Sequence, residues 1–125
     1  MKQLSRKSLI ASACVAASVL GVSVYAAAVR AQGQVREISI TGDHHAFSPP
    51  TIEVRKDDLV KITFTAADMP HSFTIQQYRI SKRAGAGQSV VFEFRADQVG
   101  DFEYYCDLKQ DERCRNMKGT LKVRP

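Results

Sequence analysis

The segment YYCDLKQDERCRNMKGTL, from Tyr104 to Leu121, holds the side chains of this chain that are best suited to chemistry. Cys106 and Cys114 are separated by seven residues, and Met117 follows them in the same loop. Two cysteines can close a disulfide if the backbone brings them together, whereas thiolate and thioether sulfurs can instead bind a soft metal ion. The segment therefore indicates a disulfide, a metal site, or the remnant of a metal site.

A histidine elsewhere in the chain can complete a metal site. His71 opens the strand-like HSFTI directly after Asp68-Met69-Pro70, so we expect it at the start of a strand behind a corner fixed by proline. Such a corner can face a loop between two later strands at the same rim of a β-domain. Sulfur ligands select Cu(I), and imidazole suits both copper oxidation states, so this ligand set favours copper over zinc, calcium or magnesium. A lone histidine is more often structural, and the prediction depends on the neighbouring sulfurs.

The elements that would position these residues are β-strands. Apolar residues alternate with polar ones in six stretches, which is typical of strands with one buried face and one face exposed to water. The apolar positions are Ile38 and Ile40, Ile52 and Val54, Val60 to Phe64, Val90 to Phe94, Phe102 and Tyr104, and Leu121 and Val123. Turn signals separate the stretches, among them Thr41-Gly42-Asp43, and Ser81 to Gln88 has the composition of an exposed connection. No window shows a helical stripe. The pattern predicts an all-β protein with six or seven strands in a two-sheet β-sandwich.

The first 31 residues have the composition of an export signal. A basic start is followed by an uncharged stretch from Leu9 to Val29, with small residues that permit cleavage after Ala28 or Ala31. The alternative is an uncleaved N-terminal membrane anchor, because the stretch is long enough to span a bilayer. We therefore predict residues 1–31 as a signal peptide or anchor and residues 32–125 as one domain. The protein is then periplasmic or secreted or, if anchored, held on the membrane facing the periplasm.

Removal of the signal changes the charge and the cysteine count. The chain has 18 basic and 13 acidic residues, but four basic residues lie in the first 31, so 14 remain against 13. A nucleic-acid partner is therefore not predicted, because such proteins carry a clustered basic excess. Cys14 leaves as well, so the exported domain has an even pair of cysteines, which in an oxidising compartment favours a disulfide. The sequence also shows no Ser-His-Asp arrangement, no phosphate-binding glycine loop and no carboxylates paired for acid-base work, so we predict no enzyme.

Three stretches of the sequence match a known family pattern; they are FSPPTIEVRKDDLVKITFTAADMPHSFTI, VVFEFRADQVGDFEYYC and MKGTLKV, within roughly residues 36–124. Their most specific motifs are Asp68-x-Pro70-His71-x-Phe73, Gly100-x-Phe102-x-Tyr104-Tyr105-Cys106 and Met117-Lys118-Gly119. On these motifs the sequence resembles the cupredoxin family, in particular the copper A domain of cytochrome oxidase subunit II and nitrous oxide reductase. The resemblance implies a cupredoxin-like Greek-key β-sandwich and a copper cofactor.

The ligand loop departs from that subfamily at two positions. The family pattern is Cys-x3-Cys-x3-His-x2-Met, which together with the earlier histidine holds two copper ions. Aligned without a gap, Cys106 and Met117 match, while Gln110 stands at the second cysteine and Cys114 at the histidine. An amide cannot bridge two metals as a thiolate does, so a dinuclear centre is not predicted. A blue-copper site needs two histidines and one cysteine, and no histidine lies in this loop.

Two alternatives remain. In the first, His71, Cys106, Cys114 and Met117 bind one copper ion, with Cu(I) favoured by the two thiolates, for electron transfer or copper delivery to a redox or copper-exchange protein partner. His44, His45 and Gln110 are possible additional ligands. In the second, Cys106 and Cys114 form a disulfide in a metal-free structural or interaction module. We favour the first, because a disulfide requires neither His71 nor Met117. Either form is expected to be a monomer, with membrane contact only if residues 1–31 are retained.

Overall fold

The computed structural model describes residues 33–125, which form two packed β-sheets. The strands are β1 Val35–Asp43, β2 Ala46–Ser48, β3 Thr51–Arg55, β4 Leu59–Ala66, β5 His71–Ile75, β6 Ile80–Ala84, β7 Ser89–Arg95, β8 Gly100–Tyr105 and β9 Lys118–Arg124. The helical elements in this part of the chain are two short 3₁₀ helices, Gln76–Tyr78 and Glu112–Asn116. No helix of residues 33–125 is long and apolar enough to cross a membrane. The predicted signal peptide or anchor lies outside the described residues.

The strand order confirms the predicted all-β Greek-key β-sandwich. One sheet has the order β2-β1-β4-β7 and the other has the order β3-β9-β8-β5-β6. The pairs β1/β4 and β3/β9 are parallel, and the remaining neighbours are antiparallel. Because the chain repeatedly crosses from one sheet to the other, strands that are distant in sequence become neighbours. The start of β5 and the connection between β8 and β9 are therefore brought close together.

Alternating burial produces the core. In β4 the residues Val60, Ile62 and Phe64 are buried, while their neighbours are partly exposed. This matches the period-two pattern of the sequence, because successive side chains of a strand point to opposite faces of the sheet. Strand β5 differs from this pattern, since all five of its residues are buried. It lies between β6 and β8 and carries His71 into the interior at its first position.

An aromatic cluster fills the centre of the sandwich. The rings of Phe47, Phe64, Phe92 and Tyr104 surround Phe73, with centroids between 4.9 and 5.9 Å from its own. Burial of one such ring contributes about 1.5–3 kcal/mol, and tilted or stacked pairs add to that. The hydroxyl of Tyr104 donates a hydrogen bond to the Pro49 carbonyl at 2.9 Å. The strands that hold the ligand candidates therefore rest on a rigid core.

Two local predictions are wrong. Ser81 to Ala84, predicted as part of an exposed connection, belongs to β6, which pairs antiparallel with β5 at the edge of its sheet. An edge strand can be ordered by its backbone hydrogen bonds alone, so it does not need the apolar alternation that the sequence lacks here. The turn predicted at Thr41-Gly42-Asp43 lies further along the chain, because β1 continues to Asp43 and the chain reverses at His44 and His45.

Candidate metal centre

The four predicted ligands are buried at one end of the sandwich. His71 is the first residue of β5, while Cys106, Cys114 and Met117 lie in the connection from β8 to β9. None of the four is more than 1% exposed. The Ser72 N–H donates to the Cys106 Sγ at 3.4 Å, and the Cys106 N–H donates to the Met117 carbonyl at 3.1 Å. These backbone contacts join the start of β5 to both ends of the sulfur-bearing loop.

Asp68 fixes the orientation and the tautomer of His71. The His71 Nε2 lies 2.7 Å from the Asp68 Oδ1. The hydrogen bond from His71 lowers the pKa of Asp68 from 3.8 to about 2, so this carboxyl is ionised at neutral pH and can only accept. The proton of a neutral His71 ring is therefore on Nε2, and the lone pair is on Nδ1. Within residues 33–125, the His71 Nδ1 is the single buried side-chain nitrogen or oxygen atom without a hydrogen-bond partner.

Met117 and His71 pack against the same point of β1. A Cβ atom added to Gly42 would lie 2.9 Å from the Met117 Cε and 3.2 Å from the His71 Cδ2. These distances are shorter than ordinary van der Waals contact between carbon atoms, so the two side chains occupy the space that a larger residue would need. The absence of a side chain at Gly42 thus lets the thioether and the imidazole lie side by side.

Cys106 and Cys114 are joined in the structure by a disulfide, with their Cα atoms 5.1 Å apart. The Leu108 N–H donates to the Cys114 Sγ at 3.2 Å. Cys114 lies on the 3₁₀ helix Glu112–Asn116, which is capped at its start by the Asp111 carboxylate through the Arg113 N–H at 3.0 Å. The short helix turns the chain back towards β8, which explains how residues separated by eight positions meet.

The structure brings His45 to this site and leaves His44 at the surface. Both residues form the two-residue turn between β1 and β2, with φ angles of +50° for His44 and +60° for His45. Such angles cost non-glycine residues roughly 1–2 kcal/mol each. The ring of His45 packs edge-on against that of His71, with centroids 5.7 Å apart, while its Nε2 lies 2.5 Å from the Asp111 Oδ2. Gln110 is exposed, beside a groove that is also lined by Met69 and Leu108.

The roles of Asp68 and Asp111 were not predicted from the sequence. Asp68 precedes His71 by three residues at the proline corner, and this spacing is a local signal that could have suggested the pair. Asp111 is 66 residues from His45, and no local pattern links them. The hydrogen bond with His45 lowers the pKa of Asp111. The rings of His71 and His45 are thus oriented by the carboxylates of Asp68 and Asp111.

A surface group of possible ligands adjoins the site. Ligating atoms of Asp43, His44 and Asp68 lie within 4.8 Å of one another. Each atom already has a protein partner, since the His44 Nδ1 lies 2.8 Å from the Asp43 Oδ1. The Asp68 carboxylate accepts from the His44 N–H at 3.1 Å and from His71. This surface group therefore ties the β1–β2 turn to the proline corner.

The donor set fits copper if the disulfide is reduced. An unprotonated, buried imidazole nitrogen, two cysteine sulfurs and a thioether sulfur are soft or borderline ligands of the kind that Cu(I) prefers. As a disulfide, the two cysteines lack the thiolates that bind metals well. His71 and Met117 would then be the main remaining donors among the four.

The two-sheet Greek-key sandwich is the fold of a cupredoxin-like domain. The chain belongs to the cupredoxin-like domain family, whose model matches residues 14–123. This confirms the resemblance noted in the sequence. No curated protein matches the chain.

Solved structures share the fold at low sequence identity. The metal-binding domain of the Cu(I)-exporting P-type ATPase of Streptococcus pneumoniae, solved with Cu(I), is 21% identical with a TM-score of 0.62, over 75% of this chain and 90% of that one. The periplasmic domain of cytochrome oxidase subunit II of Bradyrhizobium japonicum is 17% identical with a TM-score of 0.63, over 70% and 83%. Dithionite-reduced auracyanin of Roseiflexus castenholzii is 19% identical with a TM-score of 0.62, over 74% and 100%.

Proposed function

We propose that this chain is an exported copper-binding protein that holds one Cu(I) ion with His71, Cys106, Cys114 and Met117 when its two cysteines are reduced. The ion would be cargo for delivery to a protein partner in the periplasm. Bound copper would also provide a one-electron couple, so electron transfer is the related alternative. We propose no enzymatic activity, although multicopper oxidases are among the proteins with this fold.

The observation that carries the proposal is the buried Nδ1 of His71, which has no hydrogen-bond partner within residues 33–125. Leaving a polar atom buried without a partner costs about 1–3 kcal/mol. The Asp68 carboxylate holds the other nitrogen, so the ring cannot turn to satisfy Nδ1 without losing that hydrogen bond. A metal ion bound beside Cys106 and Met117 would give this atom a partner. Carboxylate-oriented histidines are a common arrangement among metal ligands.

Delivery is favoured over electron transfer by the pair of cysteines. Two thiolates stabilise Cu(I) strongly relative to Cu(II), which opposes reversible cycling between the two states. Formation of the disulfide would remove both thiolates from the metal. A carrier can use such a change to release its ion, whereas an electron shuttle would lose its centre.

The test is copper binding by the reduced protein. After reduction under anaerobic conditions, we expect one equivalent of Cu(I) to bind, with both thiols protected from alkylation. Cys106→Ser and Cys114→Ser should each lose tight binding. The matched control is His44→Gln, an exposed histidine at the same end of the sandwich, which should keep it. Copper binding by the reduced wild type no higher than background would contradict the proposal.

A second candidate function follows from the disulfide. With Cys106 and Cys114 bonded, the domain is a metal-free interaction module in which the bond stabilises the loop between β8 and β9. The same titration distinguishes the candidates, because a purely structural protein binds no copper even when both thiols are free. Reversible cycling between Cu(I) and Cu(II) in the loaded protein would instead favour electron transfer.

A further inference from the structure

The four proposed copper ligands are closed off from solvent. His71, Cys114 and Met117 are fully buried, and Cys106 is 1% exposed. An ion can therefore reach them only when part of the surrounding wall moves, by a local opening that leaves the rest of the fold intact. The part of the wall that is held by the fewest backbone hydrogen bonds is the part that opens most readily.

Strands form two sides of this wall, and they are held by backbone pairing. β5, which begins with His71, lies between β6 and β8 and pairs with both. β1, whose Gly42 lies against Met117 and His71, pairs with β4 over eight residue pairs. Opening the site on either of these sides would break several backbone hydrogen bonds of a sheet together. These strands are therefore the fixed part of the wall.

The β1–β2 turn and the 3₁₀ helix Glu112–Asn116 cover another side of the site. The turn is the tip of a hairpin whose second strand, β2, has three residues and lies at the edge of its sheet. The ring of His45 in this turn packs edge-on against the ring of His71, with centroids 5.7 Å apart. The His45 side chain is 14% exposed and the His71 side chain is fully buried, so His45 lies between His71 and the solvent.

Asp111 joins the turn to the helix. Its Oδ2 lies 2.5 Å from the Nε2 of His45, and its Oδ1 accepts from the Arg113 N–H at 3.0 Å at the start of the helix that carries Cys114. The Asp111 side chain is 29% exposed, so this contact lies at the surface of the protein. One carboxylate thus holds the turn over His71 and the helix over Cys114.

We propose that the contact between His45 and Asp111 is a latch, and that Cu(I) enters and leaves the site when this latch opens. The inference rests on the proposed function, because it concerns how the ion reaches the four ligands. Opening separates the turn from the helix and uncovers His71 and Cys114. Because the same opening precedes both binding and release, the latch sets the rate of copper exchange and leaves the affinity unchanged. In this proposal His45 covers the ligands and does not bind the ion.

Two substitutions remove the latch in different ways. In Asp111→Ser the side chain is too short to reach His45 but can still cap the helix, because serine is a favoured N-cap residue. In His45→Asn the ring is lost, and asparagine tolerates the positive φ angle of +60° at this position. The matched control is His44→Asn, which makes the same change at a φ angle of +50° on the exposed neighbour.

The experiment measures the transfer of Cu(I) from the loaded, reduced protein to bathocuproine disulfonate. At a saturating concentration of this chelator, opening of the site limits the rate of transfer. We expect Asp111→Ser and His45→Asn to raise that rate about tenfold, because each loses a hydrogen bond to a charged group that favours the closed form. Their affinities for Cu(I) should stay within roughly twofold of the wild type. His44→Asn should transfer copper at the wild-type rate.

Three results would overturn the inference. The first is an unchanged transfer rate in both latch variants. The second is an affinity that falls about tenfold in His45→Asn, which would make His45 a ligand. The third is an equal rise in rate for Asp58→Ala, which removes hydrogen bonds at the opposite end of β1, because copper would then exchange through unfolding of the whole domain.

Failure of the latch is distinguishable from failure of the proposed function, because opening can also be measured without copper. The Cys106–Cys114 disulfide is buried behind the same cover, so its reduction by dithiothreitol also requires opening. Both latch variants should be reduced about tenfold faster than the wild type and His44→Asn. If reduction is faster but the reduced proteins bind no Cu(I), the latch stands and the copper site fails. If Cu(I) binds and neither rate changes, the latch fails alone.

Discussion

At the scale of single residues, the pairing of His71 with Asp68 determines what this site can bind. An ionised carboxylate on Nε2 leaves the lone pair on Nδ1, buried and without a partner among residues 33–125. The charge of Asp68 also makes the ring a better electron donor. The same carboxylate accepts from the His44 N–H, so it couples the ring to the β1–β2 turn.

Replacement of Asp68 should weaken copper binding without unfolding the protein. In Asp68→Asn the side chain keeps its shape and can still accept from His71, but it loses the negative charge. We expect the Cu(I) affinity of the reduced protein to fall roughly tenfold to hundredfold, measured by competition with a chelator. Asp43→Asn removes a charge at the same end and should change the affinity much less. Equal affinities of wild type and Asp68→Asn would show that the carboxylate has no part in binding.

A substitution of Met117 tests whether this residue is a copper ligand or only part of the core. It is fully buried, so Met117→Leu keeps the volume and should cost less than about 1.5 kcal/mol of unfolding free energy. Loss of the thioether should nevertheless lower the Cu(I) affinity by about tenfold or more, which is about 1.4 kcal/mol of binding free energy. Met69→Leu is the matched control at the groove beside the site. Unchanged affinity in Met117→Leu would assign this residue to the core alone.

At the scale of elements, β1 makes important contacts at both of its ends. Near its C-terminal end lies Gly42, against which Met117 and His71 pack. Its start is held by Asp58, which accepts from the Gln34 N–H at 2.9 Å, the Arg55 N–H at 2.9 Å and the Arg36 Nε at 3.1 Å. The strand thus supports the site at one end and closes the sandwich at the other.

A side chain at Gly42 should disturb the site directly. In Gly42→Ala the new methyl group would lie 2.9 Å from the Met117 Cε, so Met117 or His71 must move. We expect a loss of about 1–3 kcal/mol of unfolding free energy and weaker Cu(I) binding, measured by urea unfolding and chelator competition. In Gly85→Ala the nearest atom, at 2.7 Å, is the Oε1 of the Gln88 side chain, which can move away. If both variants keep full copper affinity, the close packing at Gly42 does not position the ligands.

Asp58 should make the free energy of unfolding depend on pH in the acid range. Burial raises the pKa of this carboxyl, but hydrogen bonds from Arg55, Gln34 and Arg36 outweigh burial and hold the pKa below 3.8. The folded-state pKa of Asp58 lies below its unfolded-state pKa. The contribution of its charge to the free energy of unfolding is therefore complete above about pH 4 and is lost as the pH falls through the folded-state pKa. Asp58→Ala should cost about 3 kcal/mol at pH 7, since it leaves buried donors unsatisfied.

Urea unfolding at several pH values checks this expectation. The difference between wild type and Asp58→Ala should shrink as the pH falls below 3.8, the ordinary value of the carboxyl. Asp97→Ala, an exposed carboxylate on the connection after β7, is the control and should change stability little at any pH. A difference that stays constant from pH 7 to about pH 2 would contradict the role given to the charge of Asp58.

At the scale of the whole molecule, the redox state of one bond sets both stability and the available chemistry. The disulfide closes a loop with a sequence separation of eight, for which restriction of the unfolded chain contributes about 2–3 kcal/mol. The reduced protein loses this contribution and gains two thiolates next to His71 and Met117. Copper binding to the folded, reduced form would then stabilise it by linkage.

Calorimetry should give different melting temperatures for the oxidised, the reduced and the copper-loaded reduced protein. Reduction should lower the melting temperature by about 10–20 °C, since 1 kcal/mol corresponds to about 4–8 °C in a domain of this size. Cu(I) at about a hundredfold over its Kd should restore about 2.7 kcal/mol. The double variant Cys106→Ser with Cys114→Ser should melt near the reduced form and respond to neither reductant nor copper. A reduced wild type that copper does not stabilise would favour the metal-free module.

Much of the fold could be predicted because it follows from local patterns in the sequence. Alternating apolar residues predict strands such as β4 and β9, since each buried side chain follows from the two-residue period of a strand. The proline corner before His71 and the length of the Cys106–Met117 loop were likewise visible along the chain. Strand β6 could not be predicted in this way, because an edge strand that is ordered by pairing with β5 needs no apolar alternation of its own.

The sequence alone thus determined the β-sandwich, and it predicted four residues as copper ligands. Only the tertiary structure decided that Asp68 leaves the His71 Nδ1 without a partner among residues 33–125, and that Asp111 contacts His45 across 66 residues. The physical reason is that burial periodicity is a local property of the chain. Hydrogen-bond partners and cavities depend instead on where Greek-key crossings bring distant segments together.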